Sequence, residues 1–334
     1  MSKGTEEPRV TIVVVPREQF SVARRSLESI YEHTEIPFAL VYVDGNSPRA
    51  LKAWLEEQSS DRPDFTLLRS ERYLSPNEAR NWAIPHVHTP YVVFVDNDLI
   101  ASPGWLSKLI ECADVTGAWA VGPLYLEGEQ NDRIIHMAGG VYSFSRERPT
   151  RIFETEHLLQ HVSLDALETP LVRGECDFVE FHCMLCPTQI FETLGPLDAK
   201  LINTREHLDL CISIREAGGS VVFEPSSVVT YKSPPPLRRE DRPFFWLRWS
   251  EAWTQRSLKH FMEKHGLEPA YLERRTISTA RRSLIFRGFN EGVARLLGDR
   301  VARGTADLLM RVEAVTNRLL VRTESGKPFP TTRP

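Results

Sequence analysis

The chain has 334 residues, 41% of them hydrophobic and 26% charged, with five cysteines and a formal net charge of −4. That length exceeds a lone small module and allows a sizeable core, the composition excludes a disordered chain, and an odd number of cysteines needs no disulfide framework. The longest apolar runs are strand-sized where a membrane helix needs roughly 20 apolar residues, and "MSKGTEEPRV" has no apolar stretch for a signal peptide, so a cytoplasmic protein without a spanning segment is expected.

In chain order, short apolar runs begin near Val10, Phe38, Thr66, Tyr91 and Trp119, separated by helical patterns. This beat is that of repeated strand-helix units. The runs "VTIVVV", "FALVYV" and "YVVFV" are apolar at consecutive positions, as in parallel strands covered on both faces. Ala23, Leu27, Ile30 and Tyr31 mark one helix face, and Leu51, Trp54 and Leu55 another. Ser102, Pro103 and Gly104 read as the opening of a helix over Trp105 to Ala113, with the serine as cap. From Leu124 to Pro170 the pattern loosens into irregular strands and a surface excursion. "DFVEFHCML" reads as a buried strand, "REHLDLCISIREAGG" as a helix closed by Gly218 and Gly219, and "SVVFEP" as a strand.

Three segments complete the chain. "SPPPLRREDRP", at 233–243, is a proline-rich linker that continues neither helix nor strand. "FFWLRWSEAWTQRSLKHFMEKHG" reads as one aromatic helix, and further helical spacing carries an appendage over 244–322, with 323–334 as a disordered tail. Trp246, Trp249 and Trp253 recur at helical spacing, most simply as a packing stripe and otherwise as a sugar-stacking surface. Between Tyr271 and Arg322 eleven arginines stand against five acids, so a basic tail follows an acidic body; it fits an anionic membrane face, a second subunit or a solvated helix surface.

In open parallel sheets ligands gather at the carboxyl ends of strands. "YVVFV" ends in Asp96, Asn97 and Asp98, and "FALVYV" ends in Asp44, Gly45 and Asn46. Two carboxylates flanking one residue can approach a hard divalent cation whose other ligands are diphosphate oxygens and water. A polar turn is the plainer alternative. His182, Cys183 and Cys186, with Cys176, offer soft ligands, but their spacing matches no common zinc finger and burial along a strand accounts for them better.

From about Val10 to Tyr231 the sequence resembles the family 2 glycosyltransferases, whose catalytic domain has the GT-A fold. "VTIVVVPREQFSVARRSLESIYEHT" is similar to the family's opening strand and helix, and "VYVDGNSP" to its second strand with a nucleotide-binding acid. "NEARNWAIPHVHTPYVVFVDNDLIASPGWL" resembles its passage through an Ala-Arg-Asn triplet into Asp-x-Asp, and "LGPLDAKLINTREHLDLCISIREAGGSVVFEP" its acceptor-side block.

The resemblance implies an α/β fold with a mostly parallel GT-A sheet over 8–232 and a helical appendage. It implies inverting transfer of a sugar from a nucleotide-sugar to a hydroxyl of a carbohydrate or lipid-linked acceptor, with no nucleic acid involved. Pro16, Arg17 and Glu18 would border the nucleobase, Asp44 would accept a hydrogen bond from it, and Arg80 would lie by the nucleotide. Asp96 would face the ribose or the metal's water shell, and Asp98 would bind Mg²⁺ or Mn²⁺ directly. Relatives place Glu-Asp at the start of the acceptor-side helix, where this chain has Glu206 and His207. His207 is the expected base by position, with Glu206 as rival; Asp209, three residues after Glu206, shares that residue's face. Tyr231 stands where many relatives carry a metal-binding histidine. Because of these two departures, a catalytically silent protein that binds nucleotide-sugar or a partner is the alternative; a nucleotidyltransferase ranks last, because "VVVPREQFSVARR" lacks a glycine-rich phosphate loop.

Overall fold

The computed structural model of the chain describes residues 7–129, 131–147, 150–232, 237–267 and 278–325. The first half alternates strand and helix: β1 (Val10–Val15), α1 (Ala23–Glu32), β2 (Ala39–Gly45), α2 (Arg49–Asp61), β3 (Phe65–Ser70), α3 (Pro76–Ala83) and β4 (Tyr91–Asp96). All six residues of β1 are buried, as its unbroken valine and isoleucine run requires of a strand covered on both faces. Helix α3 is set by a capping box, in which the Glu78 carboxylate accepts the Ser75 amide at 2.9 Å, with Pro76 in its first turn. That cap fixes where Arg80 lies, one turn later.

After β4 the chain forms the short β5 (Leu99–Ala101), α4 (Trp105–Thr116), β6 (Ala120–Glu127) and β7 (Ile134–Met137), then a separate antiparallel pair, β8 (Gly140–Glu147) and β9 (Thr150–His157). β10 (Gly174–Glu175), β11 (Cys183–Pro187), α5 (Ile190–Leu194), α6 (Glu206–Glu216) and β12 (Val221–Tyr231) follow. The main sheet runs β10-β12-β6-β11-β4-β1-β2-β3, with β5 on β12 and β7 on β6. β1 pairs with both β2 and β4 in parallel, so the strand order reverses there. A crevice opens at such a reversal, beyond the strands' carboxyl ends. The Val15↔Asp96 register and the bond from the Asn97 amide to the Val15 carbonyl (2.9 Å) set residues 16–18 beside Asn97 and Asp98.

The expected α/β architecture and parallel core are present, with four local differences. Ser102 does not cap α4 through its side chain: Gly104, at φ +74°, is the N-cap, and the Trp105 amide reaches the Ser102 carbonyl. The excursion after Leu124 contains a regular hairpin, β8–β9. The strand read over "DFVEFHCML" begins only at Cys183, and residues before it form a turn. The long aromatic helix is two, α7 (Arg242–Arg248) and α8 (Glu251–His265), because the Ser250 hydroxyl accepts the Trp253 amide and starts a new helix. α9 (Arg287–Leu297) and α10 (Asp299–Ser325) complete the described appendage. Helix therefore enters the expected tail as far as Ser325; residues 326–334, and 233–236 of the expected linker, lie outside the described residues.

Candidate functional site

The ends of β1, β2 and β4 bring together the acids singled out in the sequence. Gly45 lets the end of β2 approach that of β1: a Cβ there would stand 2.9 Å from Pro16 Cγ. Asp44 beside it is buried, accepts the Ser47 amide and hydroxyl at 2.9 Å each, and pairs with Arg69, its partner across the β2–β3 ladder. Arg17 donates its amide to the Asn97 side chain at 2.9 Å, and Glu18 its amide to Asp98 Oδ2 at 3.2 Å.

Asp96 and Asp98 are both fully buried but differently served. Asp96 Oδ1 accepts from Arg80 at 3.1 Å, while its Oδ2 meets His182 Nδ1 at 2.8 Å and Arg17 Nε at 3.5 Å. Burial alone would push its carboxyl up, but Arg17 and His182 hold it below the ordinary range. Asp98 Oδ1 has no hydrogen-bond partner. Burial, then the charges of Asp96 and Glu18, raise the Asp98 carboxyl well above its ordinary value. A carboxylate in that position is short of positive charge, which a divalent cation supplies. Arg80 is no solvated helix arginine: it is buried, its guanidinium carbon 3.9 Å from the Phe181 ring centroid, and burial lowers its pKa to about 10 against the pull of Asp96.

The acceptor-side helix opens on Arg205 at φ +69°, an uncommon backbone region for a residue with a side chain. Glu206, next in the chain, is buried 3.4 Å from Arg17 and 3.6 Å from Arg248, and its Oε2 has no hydrogen-bond partner. His207 points elsewhere: its Nε2 lies 3.9 Å from Glu180 Oε1 and its ring packs on Phe178. Burial lowers its pKa to about 4 in spite of Glu180, so the imidazole is neutral at pH 7. Asp209 stands apart from both and ties α6 to α8 through Lys264 (2.8 Å) and His265 (2.9 Å).

The appendage packs onto this group, and its bond to Glu18 and the approach of its Arg248 to Glu206 were not expected from the sequence. Trp249 Nε1 donates to Glu18 Oε1 at 3.1 Å, and the Tyr231 hydroxyl donates to Glu18 Oε2 at 3.1 Å. Arg248 is held by Asn203, whose side-chain amide donates to the Arg248 carbonyl at 2.7 Å, and the Asn203 carbonyl accepts from Arg248 Nη2 at 3.1 Å. Nε of Arg17, Nε of Arg80, and Nε and Nη1 of Arg248 are buried without hydrogen-bond partners. The packing role expected of the tryptophan stripe is met by Trp249.

On the far side of Asp96 lies a second unforeseen group. The turn at 180–182 is pinned by Tyr125, whose hydroxyl accepts the Glu180 amide (3.1 Å) and donates to the Cys183 carbonyl (2.7 Å). Gly122 makes room for it: a Cβ there would stand 2.5 Å from Val179. Around Glu180 gather His136, His157, His182 and His207, and the Tyr231 ring stacks on His182 with centroids 4.1 Å apart. Burial opposes a charge on His136, but Glu180 and Glu127 raise its pKa to about 9. All five cysteines are free and buried, and among the described residues no cysteine joins a group close enough to share a metal. The visible signal was Glu180 and His182 two apart, which a straight strand would have pointed the same way.

Comparison with known proteins agrees with this fold. Residues 11–168 match the model of Glycosyl transferase family 2. An uncharacterized Sinorhizobium fredii protein, y4gI, is 26% identical over 244 residues, 71% of this chain and 26% of that protein. A pre-mycofactocin glycosyltransferase of Mycobacterium tuberculosis is 24% identical over 237 residues, 70% of this chain and 45% of the relative. The chain thus spans less than half the length of these relatives. Among solved structures, GalNAc-T7 with UDP, GalNAc and Mn²⁺ superposes with a TM-score of 0.53 at 16% identity, covering 80% of this chain and 57% of that one. The mannosyltransferase PcManGT of Pyrobaculum calidifontis, in complex with GDP-Man and Mn²⁺, gives 0.51 at 16% identity, covering 94% and 85%. Among the described residues no helix is long and apolar enough to cross a membrane. With its reversed parallel sheet, its acids at the strand ends and these likenesses, the chain has the GT-A fold and, over residues 11–168, is similar to glycosyl transferase family 2.

Proposed function

We propose that the chain moves a sugar from a nucleoside-diphosphate sugar to an acceptor hydroxyl with inversion at the anomeric carbon. The observation that carries this reading is the set of buried polar atoms without hydrogen-bond partners around the strand ends. The nitrogens of Arg17, Arg80 and Arg248 are donors fit for a diphosphate, while Asp98 Oδ1 and Glu206 Oε2 are acceptors. Fixed guanidiniums in a dry pocket hold phosphate without reorganising during reaction. Asp98 would hold Mg²⁺ or Mn²⁺, and Asp96, its oxygens already taken by Arg80, Arg17 and His182, would orient the surrounding cations. Bound there, the ion would supply Lewis-acid stabilisation of the departing diphosphate. Arg17 and Glu18 would edge the nucleotide, with Pro16 and Asp44 toward the base.

Inversion in one displacement needs one base. His207 is neutral at pH 7, and Glu180 beside it would stabilise the imidazolium that forms on taking the acceptor's proton. Glu206, held ionised by Arg248 and Arg17 against its burial, is a reluctant proton acceptor. The exposed apolar positions Leu308, Val312 and Leu319 on the arginine-bearing α10 support its use as a contact face. Liposome flotation would reveal contact with a membrane, and solution mass contact with a second copy.

The test is a panel of UDP-, GDP- and dTDP-sugars, assayed for metal-dependent thermal stabilisation and for release of nucleoside diphosphate. Asp98→Ala is expected to lower turnover by about a hundredfold or more, and unchanged turnover removes the metal assignment. His207→Ala should cut turnover while sparing donor-induced stabilisation. If Glu206→Gln does so instead, the base lies one residue earlier; stabilisation without any release by the native chain marks a binding protein.

A further inference from the structure

The densest group of ionisable side chains outside the strand-end acids and arginines surrounds Glu180. His136 and His182 both direct Nε2 at the same oxygen, Glu180 Oε2, from 3.0 and 3.3 Å. Each ring has its other nitrogen fixed by a further carboxylate. Nδ1 of His136 lies 3.1 Å from Glu127 Oε2, and Nδ1 of His182 lies 2.8 Å from Asp96 Oδ2. A neutral imidazole carries one proton; when Nδ1–H is donated outward, Nε2 turns a lone pair inward. Two such lone pairs and a carboxylate oxygen converge in a buried space, an arrangement that a cation among them satisfies. A proton on His136 relieves that ring's contact but leaves Nε2 of His182 facing Glu180. An outer carboxylate on Nδ1 with Nε2 aimed at a common centre is how proteins orient imidazoles toward a metal.

The spacings agree with that purpose. Bonds of about 2.1 Å in a tetrahedral array put ligand atoms roughly 3.4 Å apart, and the ligand atoms of His136, Glu180 and His182 all lie within 4.8 Å of one another. We propose that these three side chains bind one divalent first-row transition ion of the Zn²⁺ or Co²⁺ class. Two imidazoles and one carboxylate favour such ions over Mg²⁺, a hard cation that takes oxygen ligands. None of the three belongs to the Asp96-Asn97-Asp98 turn, which the group touches through His182 and Asp96. His157, 3.4 Å from Glu180 Oε1 and with 26% of its side chain exposed, marks the way in. The ion would fix the His182 ring and, through it, Asp96, so its role is one of positioning. This holds whether or not the chain transfers sugar.

The experiment uses the full chain, stripped of metal with a chelator and titrated with Co²⁺ in the absence of any sugar donor. Visible d–d absorption should saturate at one ion per chain and be displaced by Zn²⁺, and Zn²⁺ but not Mg²⁺ should raise the melting temperature. Glu180→Gln and His136→Asn should each abolish the absorption. Glu127→Gln, which touches only the outer carboxylate, should weaken Co²⁺ binding by about 10–100-fold and keep the saturated spectrum. Asp98→Asn should leave the titration unchanged. The proposal is overturned if the native chain develops no Co²⁺ absorption, if the absorption survives Glu180→Gln and His136→Asn, or if Asp98→Asn removes it. None of these outcomes decides whether the chain transfers sugar, which the donor panel tests separately.

Discussion

Asp96 stands between two basic environments of different kinds. On one side Arg80 and Arg17 carry charges that proteins do not titrate away; on the other His182 leads to Glu180 and three more imidazoles, whose nitrogens exchange protons for metal. The comparison teaches that one buried carboxylate can be held ionised by fixed and by adjustable partners at once. The guanidinium side suits an anion that comes and goes, because its own charge stays. The imidazole side suits a resident cation, because its nitrogens can give up protons to ligate.

Removing a partner from each side sharpens the difference. Arg80→Met takes a fully buried cation from Asp96 and should cost about 3–5 kcal/mol in urea unfolding, because it strands a buried charge. His182→Gln keeps a donor near Asp96 and should cost about 1–3 kcal/mol. Equal losses would mean that His182 carries charge in the native state and would break the distinction. Of like size is Trp249→Phe, which deletes the indole donor to Glu18 and part of a buried ring. The buried Glu18 oxygen then lacks a partner, and the expected loss is about 1–3 kcal/mol. Donor-induced stabilisation should fall with it if the appendage belongs to the site; unchanged donor binding would make that contact purely structural.

These effects also mark where the sequence was legible. The sheet could be read because β1, β2 and β4 are unbroken apolar runs, a pattern that depends only on neighbours in the chain. Asp44, Asp96 and Asp98 could be read because they directly follow those runs, and the family likeness placed Arg80. Arg248, the bond from Trp249 to Glu18 and the Glu180 group could not. Arg248 and Glu206 are 42 positions apart in the numbering, His136 and Glu180 are 44, and no local period links them. The turn at 180–182 depends on Tyr125 and on the missing side chain of Gly122, a tertiary fit. His207 illustrates a half-success: its place at the start of the acceptor-side helix could be read, but what it would meet was set by β9 and the turn before β11.

The smallest expected effect concerns the break between α7 and α8, which sequence periodicity runs straight through. Ser250 is extended at φ −64° and ψ 147°, and its hydroxyl accepts the Trp253 amide at 3.2 Å, so the chain changes direction just after Arg248 and Trp249 have been brought to Glu206 and Glu18. Ser250→Ala removes that cap and should lower stability by about 1 kcal/mol in denaturant unfolding. Arg248 should stay in place, because Asn203 holds it from both its carbonyl and its guanidinium. Donor-induced stabilisation should therefore match that of the native chain. Should it drop instead, the serine's turn and not the asparagine's grip sets the guanidinium, and the appendage's contact with Glu206 is positioned by the local break in the helix.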